Sequence, residues 1–246
     1  MVAPTLEVVA DADALTTALA SRIVDACHHA VATHGRFVVA LAGGRTPLAA
    51  YRSLAERSDL PWERFVVTWG DERWVPRDDP ERNERAARAA LLDHVPIPPD
   101  QVLGWPDATD PRACAQAHAA LLTSALGDPP RFDLVLLGLG ADAHTASLFP
   151  GTGAVDATGL TTVVQPADGG VRLSMTAAAL ENADEVLVVV SGADKRDALR
   201  RTLRADEPRD ALPLTALRPA GRFIVLADEA AAGRPSGPAD GVGVER

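Results

Sequence analysis

The sequence predicts an α/β fold: a mostly parallel sheet with helices on both faces, Rossmann-like and three-layered, in a single main domain over residues 1–230. Three observations carry this. Strand-like and helix-like stretches alternate along the chain. Phe37–Ala42 is a continuous apolar run, as strands covered on both faces are, and Phe132–Gly138 is the most apolar strand candidate. No shift in composition inside 1–230 marks a linker. Sheets of this kind bind ligands beyond the carboxyl ends of their strands, where strand order switches. The loops after Ala42, Trp69, Leu137 and Val190 are therefore the places to look for chemistry.

The elements follow in order. Thr5–Ala10 reads as a short strand. Asp11 or Asp13 can cap a helix running to about Thr33, with Leu15, Leu19, Ile23 and Ala26 at helical spacing and Gly35 as its stop. After the strand Phe37–Ala42 comes Gly43-Gly44-Arg45-Thr46-Pro47, where Thr46 reads as an N-cap and Pro47 as a first helical residue. Phe65–Trp69 is the next strand and ends at Gly70-Asp71-Glu72-Arg73-Trp74-Val75-Pro76. A helix over about Pro80–His94 follows, then a short strand near Val102–Trp105. Asp110–Leu126 is helical, with Pro111 at its start and Gly127 at its end. Beyond Phe132–Gly138 the chain turns irregular. Thr161–Gln165 and Val171–Met175 read as strands flanking a turn at Asp168-Gly169-Gly170. Glu185–Val190 is a strand, Asp194–Arg204 a helix and Arg222–Ala227 a last strand. Residues 231–246 are expected to form a flexible tail, because GRPSGPADGVGVER is rich in Gly and Pro with no apolar period.

Composition narrows the function classes. The 246 residues are 47% hydrophobic and 24% charged, enough for a real core and against disorder. No apolar run approaches the roughly 18–20 residues of a membrane span. The start of the chain lacks a basic stretch followed by an apolar one, so no leader peptide is expected. The two cysteines, Cys27 and Cys114, lie far apart in Ala-rich helical stretches, as in a reduced, cytoplasmic compartment. A net charge of -10 argues against a nucleic-acid partner. It leaves room for a small anion held by a few local cations and backbone N–H groups.

Four segments could carry chemistry. Gly43-Gly44-Arg45-Thr46 lets a backbone approach a ligand, and the helix start after it offers free N–H groups to an anion. A tight capped turn would have the same residues, and no lysine follows to make a nucleotide P-loop. Asp71-Glu72-Arg73 sets three charges at a strand end, stiffened by Trp74, Val75 and Pro76. Gly138-Leu139-Gly140-Ala141-Asp142-Ala143-His144 fits a dinucleotide fingerprint by spacing. Pro150, Gly151 and Gly153 interrupt the helix that should follow, and the next strand ends in Gln165 rather than an acid. The other reading of this segment takes His144 as a general acid–base, with Asp142 close enough to orient it. Ser147 lacks the setting of a nucleophile elbow. The six histidines (28, 29, 34, 94, 118 and 144) show no metal-binding spacing, so no metal is expected. Arg172 opens a strand. Lys195 sits in a first helical turn, where the dipole disfavours a cation unless an anion is near.

These segments, in this order, resemble the 6-phosphogluconolactonase family. The resemblance rests on AGGRTP (42–47), DERWVP (71–76), Asn83 with ALLDHVPIP (90–98), FDLVLLGLG (132–140) and HTASLFPG (144–151). It continues into SGADKRDAL (191–199) and Leu217-Arg218-Pro219, and so spans roughly residues 5–230. It implies hydrolysis of 6-phospho-D-glucono-1,5-lactone, with no cofactor and a small phosphosugar lactone as the partner, and leaves the oligomeric state open. It implies His144 as general base, Asp142 as its orienting acid, and Arg73 on either the oxyanion or the phosphate. Gly43, Gly44, Arg45, Thr46, Arg172 and Lys195 would hold the phosphate, with Asp71, Glu72, Gly140 and Thr145 completing the substrate set. One departure stands out. The family's Gly-x-Asp-Gly-His reads Gly-Ala-Asp-Ala-His here, and a positive φ at Ala143 would cost about 1 kcal/mol or more. The alternatives on the same layout are a glucosamine-6-phosphate deaminase, which usually has Tyr after the Asp-Glu pair, and a non-catalytic sugar-phosphate sensor.

Overall fold

The computed structural model describes residues 4–167 and 169–233. The first half contains β1 (Thr5–Val9), α1 (Ala12–His34), β2 (Phe37–Leu41), α2 (Arg45–Ala55), β3 (Phe65–Trp69), β4 (Asp71–Arg73), α3 (Asn83–Ala87) and α4 (Pro111–Leu126). The second contains β5 (Phe132–Gly138), β6 (Thr161–Val164), β7 (Arg172–Met175), α5 (Ala177–Glu181), β8 (Ala183–Val190), α6 (Arg196–Arg204), β9 (Arg222–Asp228) and α7 (Glu229–Ala232). The residue 230 boundary expected for the tail falls inside α7, and residues 234–246 lie outside the described ones.

Six strands form one parallel sheet in the order β1-β9-β8-β5-β2-β3. Every residue of β2 is buried, and so are all of β5 but Gly138 and all of β8 but Asp184. Alternate residues of a strand face opposite sides, so burial of both sets means that both sheet faces are covered. The caps read from sequence hold for the long helices. Asp11 accepts from the N–H groups of Asp13 and Ala14, and Gly35 closes α1 at φ 83°. Asp110 does the same for α4, with Pro111 behind it.

The chain leaves β2 for its neighbour β3 on one side, then returns to β5 on the other and continues outward to β8 and β9. The crevice between the carboxyl ends of β2 and β5 is thus the switch point of the sheet. The residues that follow these two strands are the diglycine turn and the segment that carries His144.

Four local expectations are corrected. Thr46 is the second residue of α2 rather than its cap; Gly44 occupies the cap position with φ 103° and no side chain caps this helix. The helix expected from Pro80 starts only at Asn83, because Asp79 accepts the Glu81 N–H and closes a turn first; its end is a π-helical turn over Arg88–Leu92. The expected strand near Val102–Trp105 is a single bridge between Val102 and Val67. Asp71–Arg73, read as a loop, is a strand of a second sheet, the antiparallel set β4-β7-β6. Three charged residues give no apolar pattern from which such a strand could be read.

Candidate active site

A cleft of ≈ 320 Å³ opens at the switch point. Its wall includes Gly43, Gly44, Asp71, Arg73, Asn83, Gly140, His144, Ser147, Phe149, Arg172 and Lys195. A trough of ≈ 560 Å³ adjoins it across the diglycine turn, sharing Gly43, Gly44 and Lys195 and adding Arg45 and Thr46. A larger hollow of ≈ 800 Å³ lies beyond Asp142 and Phe149, but among its described residues only Asp142 is charged. The cleft and its trough, which hold Arg73, Arg172 and Lys195, are the candidate site.

The His144 ring is held by Asp142 and Phe149. Its Nδ1 lies 2.6 Å from Asp142 Oδ1, and the same oxygen accepts the His144 backbone N–H at 3.2 Å. The ring stacks on Phe149, centroid to centroid 4.4 Å at 29°. A carboxylate only accepts, so Nδ1 carries the proton and the lone pair of the neutral ring is on Nε2. Burial pushes Asp142 up, but the backbone N–H and the ring of His144 hold it below the usual carboxylate range on balance. Gly140 makes the pair possible: a Cβ there would stand 2.2 Å from His144 Nδ1 and 2.3 Å from Asp142 Oδ1. Ala143 has φ 75° and Ala146 φ 47°, so two alanines in left-handed backbone bracket His144 and Thr145.

The phosphate side is built from backbone and cations. The start of α2 has no side-chain cap, and its first residues, Arg45 and Thr46, line the trough. Lys195 sits at the junction of a 3-10 turn and α6, at the rim of both. Asp228 fixes that turn by accepting the Ser191 hydroxyl at 2.6 Å and the Gly192 N–H at 3.0 Å. Arg73 and Arg172 stand opposite each other in the β4–β7 ladder. Like charges so placed destabilise a ladder, and an anion between or beside them reverses the sign.

The remaining wall centres on Asp71. Its Oδ2 accepts the Ser147 hydroxyl at 2.6 Å, and its backbone carbonyl accepts from Asn83 Nδ2 at 3.1 Å. Burial raises its pKa, against the Ser147 hydrogen bond and the charges of Arg73, His144 and Arg172. Asn83, Ser147 and Phe149 line the cleft, yet sequence reasoning gave them no role. Phe149 was the one with a signal, an exposed-looking aromatic in a Gly/Pro loop just after a histidine.

Arg45 and Thr46 reach the trough but not the cleft, and two expected substrate residues reach neither. Glu72 is fully buried beneath the cleft, because neighbours in a strand face opposite ways and Asp71 and Arg73 take the cleft side. Thr145 is also fully buried, and its hydroxyl donates to the Gly138 carbonyl at 2.9 Å, bracing the loop rather than facing a ligand. The Gly138–Ala143 segment runs into turns and a bridge between Thr145 and Leu148, not into the helix a dinucleotide fingerprint requires.

An open parallel sheet with an oriented imidazole and three cations at its switch point defines a class: α/β proteins with a histidine–carboxylate pair beside a cationic cleft. Within that class, the chain belongs to the family described as glucosamine-6-phosphate isomerases/6-phosphogluconolactonase, matched over residues 10–225. It is 38% identical to a 6-phosphogluconolactonase of Nostoc sp. over 232 residues, covering 92% of this chain and 96% of that one. A 6-phosphogluconolactonase of Synechocystis sp. is 41% identical over 207 residues, 82% of this chain and 86% of that one. The solved 6-phosphogluconolactonase from Trypanosoma brucei superposes with a TM-score of 0.82 at 30% identity, covering 94% of this chain and 98% of that one. No described helix is long and apolar enough to cross a membrane.

Proposed function

We propose that this chain hydrolyses 6-phospho-D-glucono-1,5-lactone to 6-phospho-D-gluconate. The observation that carries the reading is His144, oriented by Asp142, in one cleft with the diglycine turn, Arg73, Arg172 and Lys195. His144 Nε2 takes a proton from water as the water oxygen attacks the lactone carbonyl. The resulting imidazolium, held by Asp142, returns that proton to the ring oxygen as the ester bond breaks. A lactone is an activated ester, so water can attack it directly. The phosphate sits at the start of α2 with Lys195 and Arg172. Arg73, which donates to the Glu81 carbonyl at 2.6 Å and lies beside Arg172 in the ladder, serves the oxyanion or the phosphate. Cytoplasmic placement belongs to the same reading, through the two distant cysteines, both free and buried.

The test is lactone hydrolysis with freshly generated substrate, corrected for spontaneous ring opening. Turnover well above the spontaneous rate supports the reading. No turnover, with ammonia released from glucosamine 6-phosphate, would assign the chain to the other activity in the family's description.

A further inference from the structure

We propose that Glu72 is a positioning residue of the cleft, a clamp whose carboxylate holds Arg73 and Asn83 at the cavity wall through their backbone N–H groups. The geometry is specific. Glu72 Oε1 accepts the Arg73 N–H at 2.8 Å and the Asn83 N–H at 2.7 Å, and Oε2 accepts the Glu84 N–H at 2.8 Å. Three backbone donors from two segments thus converge on one side chain with no exposed surface.

The segment it grips cannot cap itself. Arg82 precedes α3 and makes no side-chain cap, and Asp79 is engaged with Glu81. Without Glu72 the N–H groups of Asn83 and Glu84 would be buried orphans. An apolar residue would fill the space but leave those N–H groups unpaired, so the acid is kept for the groups it holds rather than for filling. What it places is the cleft wall. Asn83 bonds the Asp71 carbonyl, and its amide lies over Gly43, where a Cβ would meet Oδ1 at 2.1 Å. Asn83 therefore fits between the Asp71 wall and the diglycine turn only while its backbone is held.

The charged and titratable groups around Glu72 are Asp71 and Arg73 on its own strand, Arg82 and Glu84 from the facing segment, and Cys114 of α4. Arg82 Nε is 3.9 Å away, and the Arg82 guanidinium is committed to the Val75 and Trp105 carbonyls. Burial raises the Glu72 carboxyl to about 7 against the three N–H groups. Protonation turns one acceptor into a donor and releases at least one of the three bonds.

The inference rests on the lactonase reading for its kinetic arm only, and the structural arm is independent of turnover. In the full-length 15N-labelled protein, the amide protons of Arg73, Asn83 and Glu84 are followed through the neutral pH range. They are expected to move together through one midpoint, and Glu72→Gln is expected to abolish that titration. In the lactone assay, Glu72→Gln is expected to lower kcat/KM per folded molecule by about tenfold or more. Adding Asn83→Ala to Glu72→Gln is expected to cost less than Asn83→Ala costs alone. Amide protons of Asn83 and Glu84 that exchange with solvent in the unmodified protein as fast as unprotected ones would overturn the proposal, and that measurement needs no variant to fold. So would a folded Glu72→Gln protein with a lower Tm but kcat/KM within about twofold of the parent. An intact amide titration in a protein with no lactonase activity would count against the proposed function and leave the clamp standing.

Discussion

Replacing Ala143 by glycine tests the strain in the loop that carries His144. Ala143 has φ 75°, in left-handed backbone. An L-residue there carries a penalty of roughly 1–2 kcal/mol. The substitution also deletes a methyl group with no exposed surface, which costs about 0.8 kcal/mol of burial. Strain relief exceeds lost burial, leaving a net stabilisation of about 0.2–1.2 kcal/mol. For a chain of this length that corresponds to a rise of about 1–4 °C in Tm. Ala146→Gly serves as a comparison, since Ala146 is also left-handed (φ 47°) but only half-buried and has less packing to lose. It should gain at least as much. Urea unfolding and calorimetry measure both. The Ala143 N–H donates to the Gly140 carbonyl at 3.0 Å, a bond glycine keeps, so kcat should change little. A destabilisation of Ala143→Gly by more than about 1 kcal/mol would show that the methyl packs more strongly than the backbone is strained, and would refute the reasoning.

Three further outcomes are expected. Gly140→Ala drives a Cβ to 2.2 Å from His144 Nδ1, so it should lower kcat by about 10²-fold with KM little changed; a kcat within twofold or so would mean the pair is dispensable. Lys195→Ala should raise KM for the phosphorylated lactone and spare unphosphorylated gluconolactone, and equal losses on both would remove Lys195 from the phosphate site. Because Glu72 titrates near 7 when folded against an ordinary 4.5, its stabilising contribution is complete below 4.5 and is lost as pH rises through about 7. The stability of the parent relative to Glu72→Gln, from urea unfolding at several pH values, should therefore fall over that window while the activity advantage of the parent rises. A stability difference that is flat or grows with pH would contradict the assignment.

What could be read from sequence was whatever depends on neighbours in the chain. The apolar runs at Phe37 and Phe132 announce doubly covered strands, Asp11 and Asp110 sit where local capping demands them, and Gly43-Gly44 and Gly140 mark close approaches. Asp142 and His144, two residues apart, form their pair within one loop. What escaped depends on partners distant in sequence. The cap of α3 comes from Glu72, eleven residues before Asn83, so the helix start could not be placed from the residues around it. The Asp71–Ser147 bond spans 76 residues, and no local pattern gave Ser147 a role. The strand character of Asp71–Arg73 exists only because β7 lies beside it, and with it comes the alternation that turns Glu72 away from the cleft.

The most direct measurement is the steady-state lactone kinetics of His144→Ala beside the parent protein. His144 contributes no packing that alanine would collapse beyond its stack on Phe149, so the variant should stay folded. Loss of the acid–base group should lower kcat by about 10²-fold or more, with KM for the phosphorylated lactone nearly unchanged. An undiminished kcat would contradict the central claim that the imidazole at the sheet's switch point moves the proton.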